Sequence, residues 1–296
     1  MDRIKGILYA AVSSSTFGLA PFFSLTLLMA GFSSCEVLSY RWGVASVALA
    51  ILGWVNGCRF RMNRKEALTV FCLSLFRAAT SFSLLIAYMN ISSGVASIIH
   101  FMYPLAVAVV MMFFFKEQKS GWLIAAIFIS IAGAILLSCG DIHRANGSAT
   151  IGIFSSCVAV FAYAGYIIGV RKSCAVHIHS TVLACYVMGI GALLFIIGAL
   201  FTSGLRMVVD GYTWLIILGL ALPATAISNL TLVKAIKYAG PTLTSILGAL
   251  EPLTAVIIGV WVFNEAFTLN SVFGITLIVM AVTIVVVYSG KKKEQK

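Results

Sequence analysis

The sequence predicts an all-α membrane protein, with ten transmembrane helices arranged as two inverted five-helix repeats around a central cavity. Composition is the first reason. Of 296 residues, 61% are hydrophobic and 10% charged, with a mean hydropathy of +1.07, whereas soluble domains carry about 25% charged residues. Segmentation is the second. Stretches near the roughly 20 apolar residues that a crossing needs run over 4–29, 34–56, 67–90, 93–115, 120–138, 150–170, 180–203, 212–237, 241–263 and 269–288. The third is self-similarity at an offset of 148 residues. Ala87, Ala96, Ser97, Ile98, Pro104, Leu105 and Glu117 fall on Ala235, Thr244, Ser245, Ile246, Pro252, Leu253 and Glu265.

Near the start of each half the offset is 146, so Gly6-Ile7 matches Gly152-Ile153 and Tyr40-x-x-Gly43 matches Tyr186-x-x-Gly189. Each copy holds five spans, an odd number, so the second copy enters the membrane upside down. The chain divides into a first repeat over 1–140, a second over 148–290 and a basic tail over 291–296. Inverted repeats of this kind are typical of secondary transporters, whose sites lie near the midplane between repeats.

Span one is too long for a signal-peptide core, lacks a small-x-small cleavage site and belongs to the repeat, so it reads as a mature helix. The net charge of +11 could suggest a nucleic-acid partner, but its placement points to orientation. With both termini cytoplasmic, the inner segments hold sixteen cations, from Arg3 and Lys5 to Lys296. The outer segments hold only Arg144 and Arg206, which is a positive-inside pattern. The remaining two cations, Arg41 and Arg77, lie within spans. Arg41, a few residues past Glu36 at the outer end of span two, reads as an anchor that snorkels to the interface. Lys234 and Lys237 suit the C-terminal dipole of span eight.

Glu251 lies about 10 residues into span nine, roughly 15 Å at 1.5 Å per residue and so near midplane. An acid there is costly and is a functional-site candidate by default. Thr244, Gly248, Glu251 and Ala255 share one helical face, as do their repeat counterparts Ala96, His100, Tyr103 and Val107 on span four. Arg77 reaches similar depth on span three and either pairs with Glu251 or receives a substrate carboxylate. Glu251 itself has three readings: a partner for a cationic substrate group, a proton carrier, or structural glue. His100 is either a hydrogen-bonded structural residue or part of the cavity. Phe17, Tyr88, Tyr103, Tyr163 and Tyr166 could line an amphiphilic pocket or simply pack, and Asn229 could cap a helix or touch substrate. Trp122 and Trp214 suit the interfacial belt. Pro21, Pro104, Pro223 and Pro252 lie inside spans and should bend them, with Pro21, Pro104 and Pro252 candidates for gating.

The terminal spans five and ten carry no charge, which suits lipid-facing helices and leaves a homodimer contact open. The cysteines Cys35, Cys58, Cys72, Cys139, Cys157, Cys174 and Cys185 form no CxxC and no cluster with histidine, so no metal or redox site is expected.

The stretch from Ala87 to Ser97, then Tyr103-Pro104-Leu105, Glu117 and Gly133, resembles the drug/metabolite transporter superfamily in its EamA-like branch. So do Ala235 to Pro241, Leu250-Glu251-Pro252-Leu253, Glu265 and Gly274 in the second copy, and Phe17-Gly18-x-x-Pro21 in span one. The resemblance implies a ten-helix carrier of small organic solutes in a bacterial inner membrane, with no cofactor. It does not imply which solute.

The expected function is a secondary transporter, an exporter of small metabolites such as amino acids, working by alternating access. The alternatives are a multidrug, nucleotide-sugar or other metabolite carrier. Phosphorylated substrates would call for more cavity cations than Arg77 alone. No G-x-x-x-x-G-K-[ST] pattern is present, so the energy source is an ion gradient, exchange or the solute gradient. An enzyme is not expected, because neither HExxH nor a third ligand near His177 and His179 is present. A channel would need rings of pore-lining polar groups. The expected partners are a small-molecule substrate and the lipid bilayer, and no nucleic acid.

Overall fold

A computed structural model describes residues 2–91, 93–116, 120–138, 147–202, 204–254, 257 and 269–294. Glu117, Lys119, Arg144, Ala255, Glu265 and the remainder of span nine lie outside the described residues.

Each apolar stretch is helical as far as it is described. The helices are α1 (Asp2–Phe17), α2 (Ala20–Met29), α3 (Ser34–Val55), α4 (Arg64–Asn90), α5 (Ser93–His100), α6 (Tyr103–Phe113) and α7 (Gly121–Ser138). They continue with α8 (Ala149–Lys172), α9 (Ser180–Thr202), α10 (Gly211–Ala221), α11 (Ser228–Ala239), α12 (Pro241–Leu247) and α13 (Leu269–Glu294). Residues 250–254 are also helical, and no strand occurs among the described residues. Helix starts follow from local chemistry. Ser33 with Glu36, and Asn63 with Glu66, form capping boxes that satisfy the first N–H groups of α3 and α4. Ser148 and Asp210 cap α8 and α10 with side-chain oxygens.

Six helical stretches are long and apolar enough to cross a membrane: Arg3–Met29, Ser34–Val55, Arg64–Asn90, Ala149–Lys172, Ser180–Thr202 and Gly211–Ala239. Large apolar side chains such as Phe128, Phe154, Phe161, Leu200 and Phe201 are exposed on the outside of the bundle. A surface this apolar suits lipid, not water.

Four of the apolar stretches are interrupted inside the bundle, each next to a proline. α1 ends at Phe17 and α2 resumes at Ala20, with Pro21 second in the new helix; α5 and α6 are split the same way ahead of Pro104. The ninth stretch breaks at Gly248-Ala249, three residues before Pro252. At Pro223 the chain widens into a π-helical turn over Leu222–Ile227. Proline removes an N–H and clashes with the preceding turn, and an inserted π turn is another way to accommodate it.

The most extensive helix contacts all join one half of the chain to the other: α3 with α9, α4 with α8, α7 with α13, and α1 with α11. Small residues permit the approach. A side chain at Gly191 would run into the ring of Trp42, which is fully buried between α3 and α9. α7 and α13 pack on each other, with Gly133 against the Gly274 carbonyl, so one face of each terminal helix is covered within the chain.

Candidate functional site

The helix breaks open onto a polar cluster inside an otherwise apolar bundle. Arg77, on α4, is 1% exposed. Its Nε donates to Asn229 Oδ1 at 3.0 Å and its Nη1 to Ser81 Oγ at 3.2 Å. Four rings surround its guanidinium: Tyr163 at 5.2 Å, Phe17 at 5.4 Å, and Trp42 and Tyr166 at 6.0 Å. Rings at these distances offer their negative faces to a cation that water no longer reaches.

Arg41 is not the interfacial anchor its sequence position suggests. It is 6% exposed, and its Nε donates to Thr225 Oγ1 at 2.6 Å. Its guanidinium lies 5.5 Å from the same Phe17 ring, so it shares the interior with Arg77. The cause is packing. α3 sits against α9 and the π turn, so the side chain finds a hydroxyl on the π turn instead of reaching the surface. Sequence gave no sign of this, because snorkelling and burial depend on which neighbour covers a helix face.

The π turn and the first turn of α11 supply the two anchors. Thr225 Oγ1 donates to the Leu220 carbonyl at 2.8 Å, leaving its lone pairs for Arg41. Asn229, one turn later, donates from Nδ2 to the Thr225 carbonyl at 2.8 Å and offers Oδ1 to Arg77. Asn229 is therefore a positioning residue for Arg77. At the 148-residue offset Arg77 falls on Thr225 and Ser81 on Asn229. Arg77 is thus held by its neighbour Ser81 and by that neighbour's repeat counterpart Asn229, while its own counterpart, Thr225, holds Arg41.

Glu251 is half-buried and lies in the neighbourhood of Arg41, Arg77, Tyr88, Tyr103 and Tyr163. It forms no ion pair with Arg77, whose Nε and Nη1 go to Asn229 and Ser81. Gly18, in the break between α1 and α2, lies against the Glu251 carbonyl, where a Cβ would come within 2.6 Å. The α12 break brings the glycine of its own face, Gly248, against the Tyr103 hydroxyl.

His100, Tyr103 and Tyr163 form a buried aromatic cluster with centroids 4.7–5.5 Å apart. Both ring nitrogens of His100 are buried with no hydrogen-bond partner among the described residues, so it is not the satisfied structural histidine that sequence allowed. Arg41 Nη2, Trp42 Nε1 and the Tyr166 hydroxyl are likewise buried and unpartnered. Each such group forfeits about 1–3 kcal/mol, and a concentration of them beside two arginines calls for an explanation.

A small cavity of ≈20 Å³ touches Phe17, Arg41, Arg77, Ser81 and Tyr88, with Pro21 in its wall. That is room for about one water. Both ends are clasped. At one, Glu36 accepts from the Ser33 and Arg206 backbone N–H groups, at 2.8 Å each. There Arg206 also reaches the Gly31 carbonyl and the Phe32 ring, and Tyr40 donates to the Arg206 carbonyl. At the other, Lys237 donates to the Ile178 carbonyl, Arg171 to the Lys237 carbonyl, and Lys234 lies over Tyr9. Lys234 and Lys237 therefore tie helices together as well as complementing a dipole.

Two-fold internal repetition, helices broken at prolines and cations buried where they break define a membrane transporter. The EamA-like transporter family model matches residues 4–139 and again 150–287, and the chain belongs to that family. It is a multi-pass membrane protein of the drug/metabolite transporter type. A solved crystal structure shares the fold, with a TM-score of 0.79 over 98% of both chains at 16% identity. No curated protein sequence matches the chain.

Proposed function

We propose that this protein is a secondary transporter that carries a small organic metabolite through the bilayer by alternating access. The observation that carries this reading is the cluster of Arg77, Arg41 and Glu251 beside the breaks before Pro21 and Pro252. Charges are retained inside a membrane bundle, at a cost of roughly 2.5–3.5 kcal/mol per arginine on insertion scales, where they serve a passage.

The reading includes ten crossings, in two inverted sets of five, with the site between the sets. The basic segments orient both termini to the cytoplasm of a bacterial inner membrane. The Glu36–Arg206 clasp then closes the outer end, and the Lys237–Ile178 clasp the inner one. Each opens in turn while the other holds. Export of amino-acid-like solutes is the form this takes, driven by a gradient or by exchange. Arg77 and Arg41 receive anionic oxygen atoms, Glu251 receives an ammonium or a proton, and the ring of Phe17 lies against both guanidiniums.

A metabolite uptake screen on purified, reconstituted protein tests the reading. Saturable counterflow of at least one solute is expected. If no solute exchanges across a broad metabolite panel while the protein is folded and oriented in the liposomes, the reading fails.

A further inference from the structure

Resting on that reading, we infer that the solute carries two carboxylates, one for each buried arginine. The site holds two guanidiniums against one carboxylate, and none of the hydrogen bonds to either guanidinium comes from an acid. Both guanidiniums lie against the Phe17 ring, at 5.5 and 5.4 Å, and line one small cavity, so two like charges share the site. Their partners are a threonine hydroxyl, an asparagine amide and a serine hydroxyl, which orient a guanidinium without neutralising it. Arg41 Nη2 is left buried and unpartnered. A pair of cations kept oriented and uncompensated is complementary to a net anion.

The spacing selects among anions. Both arginines are fixed through Nε to side chains four residues apart on one helix, Thr225 and Asn229. That is about one turn, ~6 Å at 1.5 Å per residue. A single phosphate can bridge two guanidiniums from one centre, so inorganic phosphate is the competing ligand, and a larger rise in Tm with phosphate than with any diacid overturns the inference. Two carboxylates joined by a two- or three-carbon chain give each planar guanidinium fork its own planar partner. The cavity of ≈20 Å³ shared by the two arginines admits nothing bulky unless it widens, which favours a short, flexible diacid. Glu251 faces the same cluster and can accept an amino group, so the diacid exists in two forms, aminated or not. With Arg41 buried beside it, Arg77 is not the lone cation of the site.

The test is thermal unfolding of the purified full chain with matched pairs: glutamate against glutamine, and succinate against its monoamide. Within at least one pair the diacid should raise Tm at concentrations where the monoamide does not, an affinity gap of about tenfold or more for one charged hydrogen-bonding group. Arg41→Gln should remove the gap and Arg41→Lys should restore part of it, both remaining monodisperse. The glutamate pair responding alone, with the response lost in Glu251→Gln, identifies an aminated diacid; the succinate pair responding identifies an unaminated one. Equal shifts by diacid and monoamide, a gap that survives Arg41→Gln, or no shift by either pair overturns the inference. Because binding is read without flux, transport can fail while the charge rule holds, and the reverse.

Discussion

The hydroxyl of Tyr103 occupies the space that a side chain at Gly248 would need. The two residues stand on the equivalent faces of the two repeats. At the 148-residue offset, Tyr103 falls on Glu251 and His100 on Gly248. Where one copy carries an imidazole the other carries no side chain, and the tyrosine fills the difference. Near-equivalent positions have thus become an interlocked pair, one bulky and one bare, at the break before Pro252.

Gly248→Ala should therefore be costly. The Cβ has no room beside the Tyr103 hydroxyl, and overpacking typically costs about 1–3 kcal/mol. A lowered Tm is expected in Gly248→Ala, with most of the loss recovered in the double variant Gly248→Ala/Tyr103→Phe. Additive effects in this cycle would show that the two groups do not meet.

Asn229 can be separated from Arg77 by charge. Asn229→Ala leaves Arg77 Nε without its partner and should destabilise the protein by about 1–3 kcal/mol. Asn229→Asp keeps an acceptor in place and adds the acid the arginine lacks. It should fold at least as well as Asn229→Leu and yet bind an anionic solute more weakly than wild type, because the site's positive surplus is gone. An Asp variant with unchanged solute affinity would remove Arg77 from the binding surface.

The two clasps make opposite predictions for access. Glu36→Gln weakens the hold on the Arg206 backbone and should speed labelling of Cys35, at that end, by a membrane-impermeant maleimide. Cys185, near the other end, should label no faster. Faster labelling at both cysteines would indicate general loosening, not a gate.

A substitution at Gly18 tests the passage itself. Gly18→Ala pushes a methyl toward the Glu251 carbonyl and Thr254. Solute exchange should fall at least tenfold while expression and monodispersity persist, since the clash lies at a break and not within a continuous helix. Unimpaired exchange would show that the first and ninth stretches need not stay in close contact during the cycle.

The prolines, the apolar stretches and the 148-residue offset could be read in the sequence because each depends on local chain chemistry or on periodicity. The burial of Arg77 could be read for the same reason. Partners could not. That Arg77 bonds Asn229 and not Glu251 depends on the register between α4 and α11, and that register is shifted by a π turn that no propensity announces. Arg41 was misplaced because its distance from the helix end is compatible with snorkelling, and only the packing of α3 on α9 closes that route. Trp42, beside it, carried no signal beyond its size, yet the bare surface of Gly191 receives it. The unpartnered nitrogens of His100 follow from the rings of Tyr103 and Tyr163, which the helical face pattern could not pair.

The central claim is that Arg77 and Glu251 belong to the solute's path. Counterflow in proteoliposomes, with a solute first verified on the wild-type protein, tests it most directly. Arg77→Gln and Glu251→Gln should each reduce exchange by about tenfold or more, in protein that remains folded and reconstitutes with equal efficiency. Exchange at the wild-type rate in both variants would contradict the claim.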